Sequence, residues 1–334
     1  MNLDIEHPEQ LVNYLRDHGH IGRNETPEMR ILAGGVSNRA VLVKHSAGDW
    51  VLKQALEKLR VQGEWLSRPE RVHREAKGMR ALGRMLPEGA VPAFVFEDHT
   101  HHILAMEAVP QPHRNWKQML LNGELYPGHA HEFASMLAAI HRRSQQQADS
   151  LRRAFDDRSF FESLRLDPYY GTAASAVPEA AGFLRALVDE TRSIRTALVH
   201  GDYSPKNILV HENRLVLLDH EVIHWGDPAF DIGFSMTHFL SKALHLQNHR
   251  EVLVEGAHLY WKTYEQEAEP DQPFTDRAVR HTLACMLARA DGRSPLEYLD
   301  PEEKQRQRCI VLAMMNELQD SMHGLINEFE KSLS

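Results

Sequence analysis

In His200-Gly201-Asp202-Tyr203-Ser204-Pro205-Lys206-Asn207 a carboxylate is followed five residues later by a carboxamide. A second carboxylate comes twelve residues after that, in Leu217-Leu218-Asp219-His220-Glu221. Phosphoryl transfer from a nucleotide needs this set of groups. One carboxylate, Asp202, would orient the attacking hydroxyl and accept its proton, while Asn207 and Asp219 would hold the Mg²⁺ that bridges the phosphates of ATP. Gly201 permits a tight backbone path and Pro205 restricts the loop between base and ligand. Glu221 lies two residues beyond Asp219 and is a further candidate for the metal, with a surface role as the alternative.

A second group of residues lies upstream. Lys53 ends the apolar run Trp50-Val51-Leu52, and a lysine there is costly unless its ammonium has a partner. Val51 and Lys53 share a strand face, so the amine would point toward whatever lies under Gly34-Gly35-Val36-Ser37-Asn38. In a nucleotide site it would meet phosphate oxygens, steadied by a glutamate from the next helix. Glu75 is preferred because it shares a helix face with Met79 and Leu82; Glu70 and Glu64 compete. The turn through Gly34, Gly35 and Ser37 would let backbone amides approach phosphate closely. The P-loop pattern GxxxxGK[ST] is absent, which disfavours that class.

Two kinds of region must position these groups. The first 108 residues read as five strands and one intervening helix: Ile31–Ala33, Ala40–Val43, Trp50–Lys53, a helix over 69–86, then Ala93–Glu97 and His102–Glu107, preceded by an amphipathic helix over 6–19. Residues 109–334 read as mainly helical, with helices over 114–122, 128–144, 158–164, 177–194, 228–245, 249–266, 274–291 and 301–332. In this part Ile208–Val210 and Leu215–Leu218 form a short hairpin with Asn207 and Asp219 at its ends. The fold class is therefore α+β. In the last helix Val311, Met315, Leu318, Met322, Leu325 and Phe329 alternate four and three residues apart, a seam of the coiled-coil kind. Packing on the helical part is favoured, with a homodimer through this helix as the alternative. Asp227 is read as a helix cap, and Asp231 as a buttress of the Asp202 loop.

Composition bounds the partners. The 334 residues carry a net charge of -9 with 42% hydrophobic content, enough for a large core. Acidity argues against nucleic acid and anionic membranes and tilts the acceptor slightly toward cations. No run spans a bilayer, no secretion signal opens the chain, and two motif-free cysteines suit a reducing compartment, so a cytoplasmic setting is expected. Among the 22 histidines, His99, His101, His102, His129 and His131 lack zinc-site spacing. Exposed or hydrogen-bonding roles are favoured for them.

The pieces GGVSN, VLK at Lys53, HGDYSPKN, LLDHE and GDPAFDIG, spread from residue 31 to about 240, resemble the aminoglycoside phosphotransferase and choline kinase group. The resemblance implies a protein-kinase-like two-lobed fold, with a small antiparallel-sheet lobe over 1–108 and a helical lobe over 109–334. It also implies a hinge at Met106-Glu107-Ala108-Val109, where backbone groups of Glu107 and Val109 hold adenine, and it makes Asp202 the base, Asn207 and Asp219 metal ligands, and Lys53 with Glu75 the phosphate-positioning pair. Val51-Leu52-Lys53-Gln54-Ala55-Leu56, Gly63-Glu64-Trp65 and the Asp-x-Glu at 219–221 are similar to methylthioribose kinases within the group. A protein kinase is disfavoured because no arginine separates His200 from Asp202 and DFG and APE elements are missing. A nucleotide-binding regulator without turnover is a second rival, and a metal-dependent hydrolase using the histidine surplus a third. For an acceptor, either a methylthioribose-like sugar or an aminoalcohol or aminoglycoside, the side chains in play are Asp157, Arg158, Arg165, Tyr169, His238, Arg289 and Arg293.

Overall fold

A computed structural model describes residues 3–32, 35, 37–60 and 65–333. Gly34, Val36 and Glu64 therefore lie outside the described residues. The chain divides into two compact units, Met1–Gln111 with Leu218–Glu221, and Pro112–Leu217 with Val222–Ser334.

The first unit is built on an antiparallel sheet of five strands, β1 (Glu28–Ile31), β2 (Asn38–His45), β3 (Gly48–Ala55), β4 (Phe94–Asp98) and β5 (Ile103–Glu107), in the order β1-β2-β3-β5-β4. Four of them were legible as apolar runs bounded by turn residues; the first was expected over Ile31–Ala33, whereas β1, mostly exposed, covers Glu28–Ile31. Strand alternation gives the sheet two faces. One carries Val41, Val43, Leu52, Ile103 and Ala105, packed with Leu11, Tyr14 and Leu15 of α1 (Pro8–Asp17). Val51 and Lys53 point to the other face, opposite Met106 and Leu104 of β5. Helix α2 (Arg71–Met85) buries Val72, Glu75, Ala76, Met79 and Leu82, a stripe at helical spacing. Glu75 is buried because it sits in that apolar stripe.

The second unit holds β6 (His113–Asn115), α3 (Trp116–Leu121), α4 (Pro127–Gln146), α5 (Ala148–Phe155), α6 (Ser159–Phe161), a π-helical stretch Glu162–Gly171, α7 (Thr172–Ala176) and α8 (Ala181–Ser193). These are followed by β7 (Ala197–Val199), β8 (Ile208–His211), β9 (Arg214–Leu217), β10 (His224–Gly226), α9 (Ala229–His245), α10 (Arg250–Ala268), α11 (Gln272–Asp291), α12 (Pro301–Asn316) and α13 (Met322–Lys331). The expected hairpin is β8–β9, with Ile208 opposite Leu217. It is joined by β6, while β7 pairs with β10. These strands of three residues were not anticipated, since so short a run shows no alternation. Helix α9 is buried on every side up to Leu244, as its apolar sequence requires.

Two helices depart from expectation. The segment expected over 158–164 continues to Gly171 as a π-helix with Pro168 inside it; proline has no N–H for an α-helical ladder. The continuous helix expected over 301–332 is broken between Asn316 and Met322, because Ser321 caps a new helix by accepting from the Gly324 N–H. Val311, Met322, Leu325 and Phe329 of the apolar seam are buried within this unit, while Leu318 is exposed in the link.

Candidate active site

In the first unit Lys53 Nζ lies 2.5 Å from Glu75 Oε1 and 3.2 Å from Asp219 Oδ1. Glu75 is thus the partner, as its helix face predicted; Glu70 flanks α2 and is exposed. Burial by itself lowers the Lys53 pKa, but Asp219 and Glu75 outweigh it and hold the ammonium firmly protonated. Glu75 Oε2 is buried without a hydrogen-bond partner. Asp219 has φ +67°, a left-handed conformation that non-glycine residues adopt rarely and mostly where the surroundings enforce it. Its side chain retains some exposure, 18%.

Arg71, which sequence reasoning missed, organises this unit. Fully buried, it donates from Nε to Glu221 Oε2 at 3.2 Å, from Nη1 to the Ser67 and Arg68 carbonyls, and from Nη2 to the Leu56 carbonyl at 2.7 Å and to that of Ser37. The guanidinium fork can reach several acceptors at once, which a lysine cannot. It ties the end of the glycine turn to the start of α2 and to Glu221. Asn38 Nδ2 also donates to Glu221 Oε2, at 3.3 Å. That carboxylate oxygen is therefore already engaged by the protein. Ser37 is buried, with its Oγ accepting from Asn38. Gly35 is exposed, and a Cβ on it would come within 2.9 Å of the Asn38 carbonyl oxygen. Glu107 ends β5, its N–H donated to Ala93 at 2.9 Å, and the Ala108 N–H goes to Asp49. Val109 follows.

In the second unit the Asp202 loop is held from below by Asp231, the expected buttress. One oxygen of Asp231 accepts from the His200 N–H at 2.7 Å, the other from the Gly201 N–H at 2.8 Å. Burial raises the Asp231 pKa, but its hydrogen bond to His141 and the other donors more than offset this and keep it ionised. Gly201 has φ +77°, and a Cβ there would meet Val222 at 2.9 Å, so only glycine suits the position. Asp227 caps α9 through the Ala229 N–H, as read, and also pairs with Arg277 at 3.0 Å.

Asp202 and Asn207 are brought together. Asn207 Nδ2 donates to the Asp202 carbonyl at 2.9 Å and to Asp202 Oδ2 at 2.8 Å. With the amide nitrogen so engaged, the acceptor oxygen Oδ1 is the atom left to bind a cation. Arg165 Nη2 lies 2.9 Å from Asp202 Oδ2, and its Nε donates to the Gly201 carbonyl. Nothing local announces this pair, since 36 residues separate Arg165 from Gly201. The candidates Asp157 and Arg158 go elsewhere. Asp157 accepts from the Ser159 N–H, and Arg158 donates to the carbonyls of Thr191 and Arg192.

Asp219 in the first unit offers a carboxylate and Asn207 in the second a carbonyl oxygen, each the kind of hard oxygen ligand a divalent cation takes. By contrast His73, Glu97 and His99 lie close enough to share an ion, yet Arg80 already holds Glu97 at 2.8 Å and the two imidazole rings stack 3.8 Å apart at 11°. Stacked rings do not converge on a metal.

Over residues 28–295 the chain matches the phosphotransferase enzyme family. It belongs to that family. Among curated relatives, methylthioribose kinase 2 of Oryza sativa subsp. japonica is 25% identical over 240 residues, covering 64% of this chain and 56% of the relative. The match therefore spans little more than half the length of that protein. Two solved structures share the fold. A choline/ethanolamine kinase family protein from Mesorhizobium loti is 15% identical with TM-score 0.53, over 96% of this chain and 99% of that one. Amicoumacin kinase, solved with AMP-PNP, Ca²⁺ and Ami, is 14% identical with TM-score 0.58, over 94% and 95%. The α+β architecture, with its small antiparallel sheet and many helices, is the one this family uses. No helix among the described residues is long and apolar enough to cross a membrane.

Proposed function

We propose that this family member transfers the γ-phosphate of ATP to a hydroxyl of a small molecule. The observation that carries the reading is the double hydrogen bond from Asn207 to Asp202. It fixes the orientation of the base and turns the amide oxygen toward a cation with one and the same contact. The acceptor oxygen attacks the γ-phosphorus in line, its proton passes to Asp202, and the bond to the β–γ bridging oxygen breaks as ADP leaves. Lys53, held by Glu75, positions the phosphates, with backbone amides of the turn through Gly34, Gly35 and Ser37 beside them; Glu107 and Val109 hold adenine through the backbone. Asn207 and Asp219 would hold Mg²⁺, which neutralises charge developing on the phosphates. The divalent ion and nucleotide analogue bound by amicoumacin kinase support a metal–nucleotide pair here. Glu221 is assigned to anchoring through Arg71, leaving the metal to the other two.

Of the two acceptor classes, a sugar-like molecule of the methylthioribose kind is favoured over an aminoalcohol or aminoglycoside. The methylthioribose kinase relationship supports it, and so does the basic character of the side chains beyond Asp202, which would repel an ammonium.

The test is ATP consumption by purified protein with methylthioribose, simple sugars, aminoalcohols and aminoglycosides, with Asp202→Asn as control. Turnover lost in the variant is expected. Turnover unchanged by Asp202→Asn would remove the base assignment, and nucleotide binding without turnover of any acceptor would favour the regulator.

A further inference from the structure

Beyond Asp202, the second unit gathers basic side chains: buried Arg165, paired with Asp202, half-buried Arg289, and fully buried Lys242. The guanidinium of Arg165 lies 5.8 Å from the Tyr169 ring centroid and 5.9 Å from that of Phe234. Arg289, from α11, lies over the same two rings at 5.2 and 5.6 Å. Two guanidinium groups thus share one pair of aromatic rings, and one of them is bonded to the proposed base. His238 stands one turn along α9 from Phe234, its ring 5.6 Å away. Lys242 stands one turn further, its ammonium 5.1 Å from the Tyr298 ring.

The partners of these groups are few. Arg289 donates from Nη1 to the carbonyl and hydroxyl of Ser294, but its Nε is buried without a partner. His238 is 3% exposed and its Nε2 is also without one, as are Ser241 Oγ and Tyr298 OH. Lys242 is fully buried and gives one hydrogen bond, to the His238 carbonyl at 3.3 Å. Neither Arg289 nor Lys242 has an ion pair among the described residues. Glu297 is close enough to act on Lys242 and on Arg289, and it is paired with Lys117. Buried polar atoms in native proteins are hydrogen-bonded or ligated, and the Arg289 Nε, His238 Nε2, Ser241 Oγ and Tyr298 OH of this set are neither.

We propose that these groups bind an anionic substituent of the acceptor, a carboxylate or a phosphate, so that the substrate is an alcohol that is also an acid. The inference rests on the phosphotransfer reading above and narrows its substrate class. Arg289 supplies the planar donors that match either oxyanion, and His238 Nε2 and Lys242 add further donors. Arg165, with its bond to Asp202, joins the anion subsite to the place where the hydroxyl reacts. An ammonium-bearing acceptor would enter against Arg165 and Arg289, and the carboxylate there, Asp202, is already paired with Arg165.

Binding separates this idea from phosphotransfer. Calorimetry on the full chain would use glycerol against glycerate and glycerol 3-phosphate, ribose against ribonate and ribose 5-phosphate, and choline as the cationic arm. The expected result is that at least one acid binds at least tenfold tighter than its neutral parent and than choline. Whether that acid is the carboxylate or the phosphate member identifies the substituent. Arg289→Met should weaken the acid by about 10- to 100-fold, the range for one hydrogen bond to a charged group. Lys242→Met breaks no ion pair and serves as the second variant should Arg289→Met not fold; it too should lose affinity for the acid. Equal binding of acid and parent, tighter choline, or acid binding unchanged in a folded variant overturns the proposal. ATP turnover of the bound compounds with Asp202→Asn then tests phosphotransfer separately, since an acid that binds without being phosphorylated sinks the reaction and leaves the subsite standing.

Discussion

The two units each withdraw a lysine from water, Lys53 in part and Lys242 fully, and they treat it in opposite ways. Lys53 sits against two carboxylates, Glu75 at 2.5 Å and Asp219 at 3.2 Å. Lys242 sits among positive neighbours and has one backbone carbonyl. The first arrangement is complete within the protein, with negative charge in excess, and suits a metal–nucleotide that brings positive and negative charge together. The second is incomplete and has cations in excess, so Lys242 either sheds its proton or takes a counter-charge from a ligand. The contrast shows that a buried charge lacking its partner can reveal more about a substrate than a paired one, because pairing alone explains the paired one.

The comparison is tested most severely at the carboxylates. Asp202→Asn and Asp219→Ala should each lower kcat by at least about 10³-fold, since one removes the proposed general base and the other a proposed metal ligand. Steady-state rates at saturating ATP and Mg²⁺ check this, and near-normal turnover by Asp219→Ala would end the metal assignment.

Next comes Lys53→Met. It should lower kcat/KM by about 10²-fold through lost phosphate positioning and destabilise the fold by about 2 kcal/mol, below the usual cost of orphaning a buried charge. The cost is reduced because burial raises the pKa of Glu75 and lets it take up a proton once Lys53 is gone. A carboxyl whose folded pKa is raised binds more protons when folded, so stability is lost as pH rises through the window above the ordinary glutamate value. Urea unfolding of this variant should therefore show lower stability at pH 8 than at pH 6, by a larger margin than in the parent.

The smallest effect has the opposite sign. Burial first, then the charges of Lys117 and Arg289, push the Lys242 pKa down to about 7, with Glu297 opposing. His238 and the Tyr298 ring also face it. An unfolded lysine keeps its proton to about pH 10.4, so between pH 7 and that value the folded chain binds fewer protons and gains stability as pH rises. Lys242→Met should accordingly raise stability by about 1 kcal/mol at pH 6 to 7, and the gain should shrink by pH 9. Thermal unfolding across that range measures it. A variant less stable than the parent at pH 6 would mean that Lys242 is satisfied within the protein, and the contrast between the two lysines would collapse.

How much of this could be read without the fold depends on distance along the chain. Lys53 with Glu75 was legible because a strand period and a helix period each fix a face, and 22 residues separate them. The Asp202–Asn207 pair was legible because both lie in one loop, and Asp231 because it opens the next helix. Arg71 reaching Glu221 spans 150 residues and could not be found, while Arg165 was a bare candidate whose pairing with Asp202 no local mark announced. The same holds for Arg289 and Lys242, which were a bare candidate and an unremarked helix residue. The slight preference for a cationic acceptor drawn from net charge opposed the local picture, because a sum over the chain says nothing about which charges share a pocket.

The sequence by itself determined the α+β class and most of the five-stranded sheet, and it set out the residues proposed for phosphoryl chemistry. All of these follow from periodicity, turn residues and spacing over short stretches. The tertiary structure alone decided which cation meets which carboxylate, that Leu218–Glu221 belongs with the first unit, and that Arg165 and Arg289 share the Tyr169 and Phe234 rings while Lys242 lies by Tyr298. Those outcomes depend on long-range packing and on desolvation, and no local pattern records either.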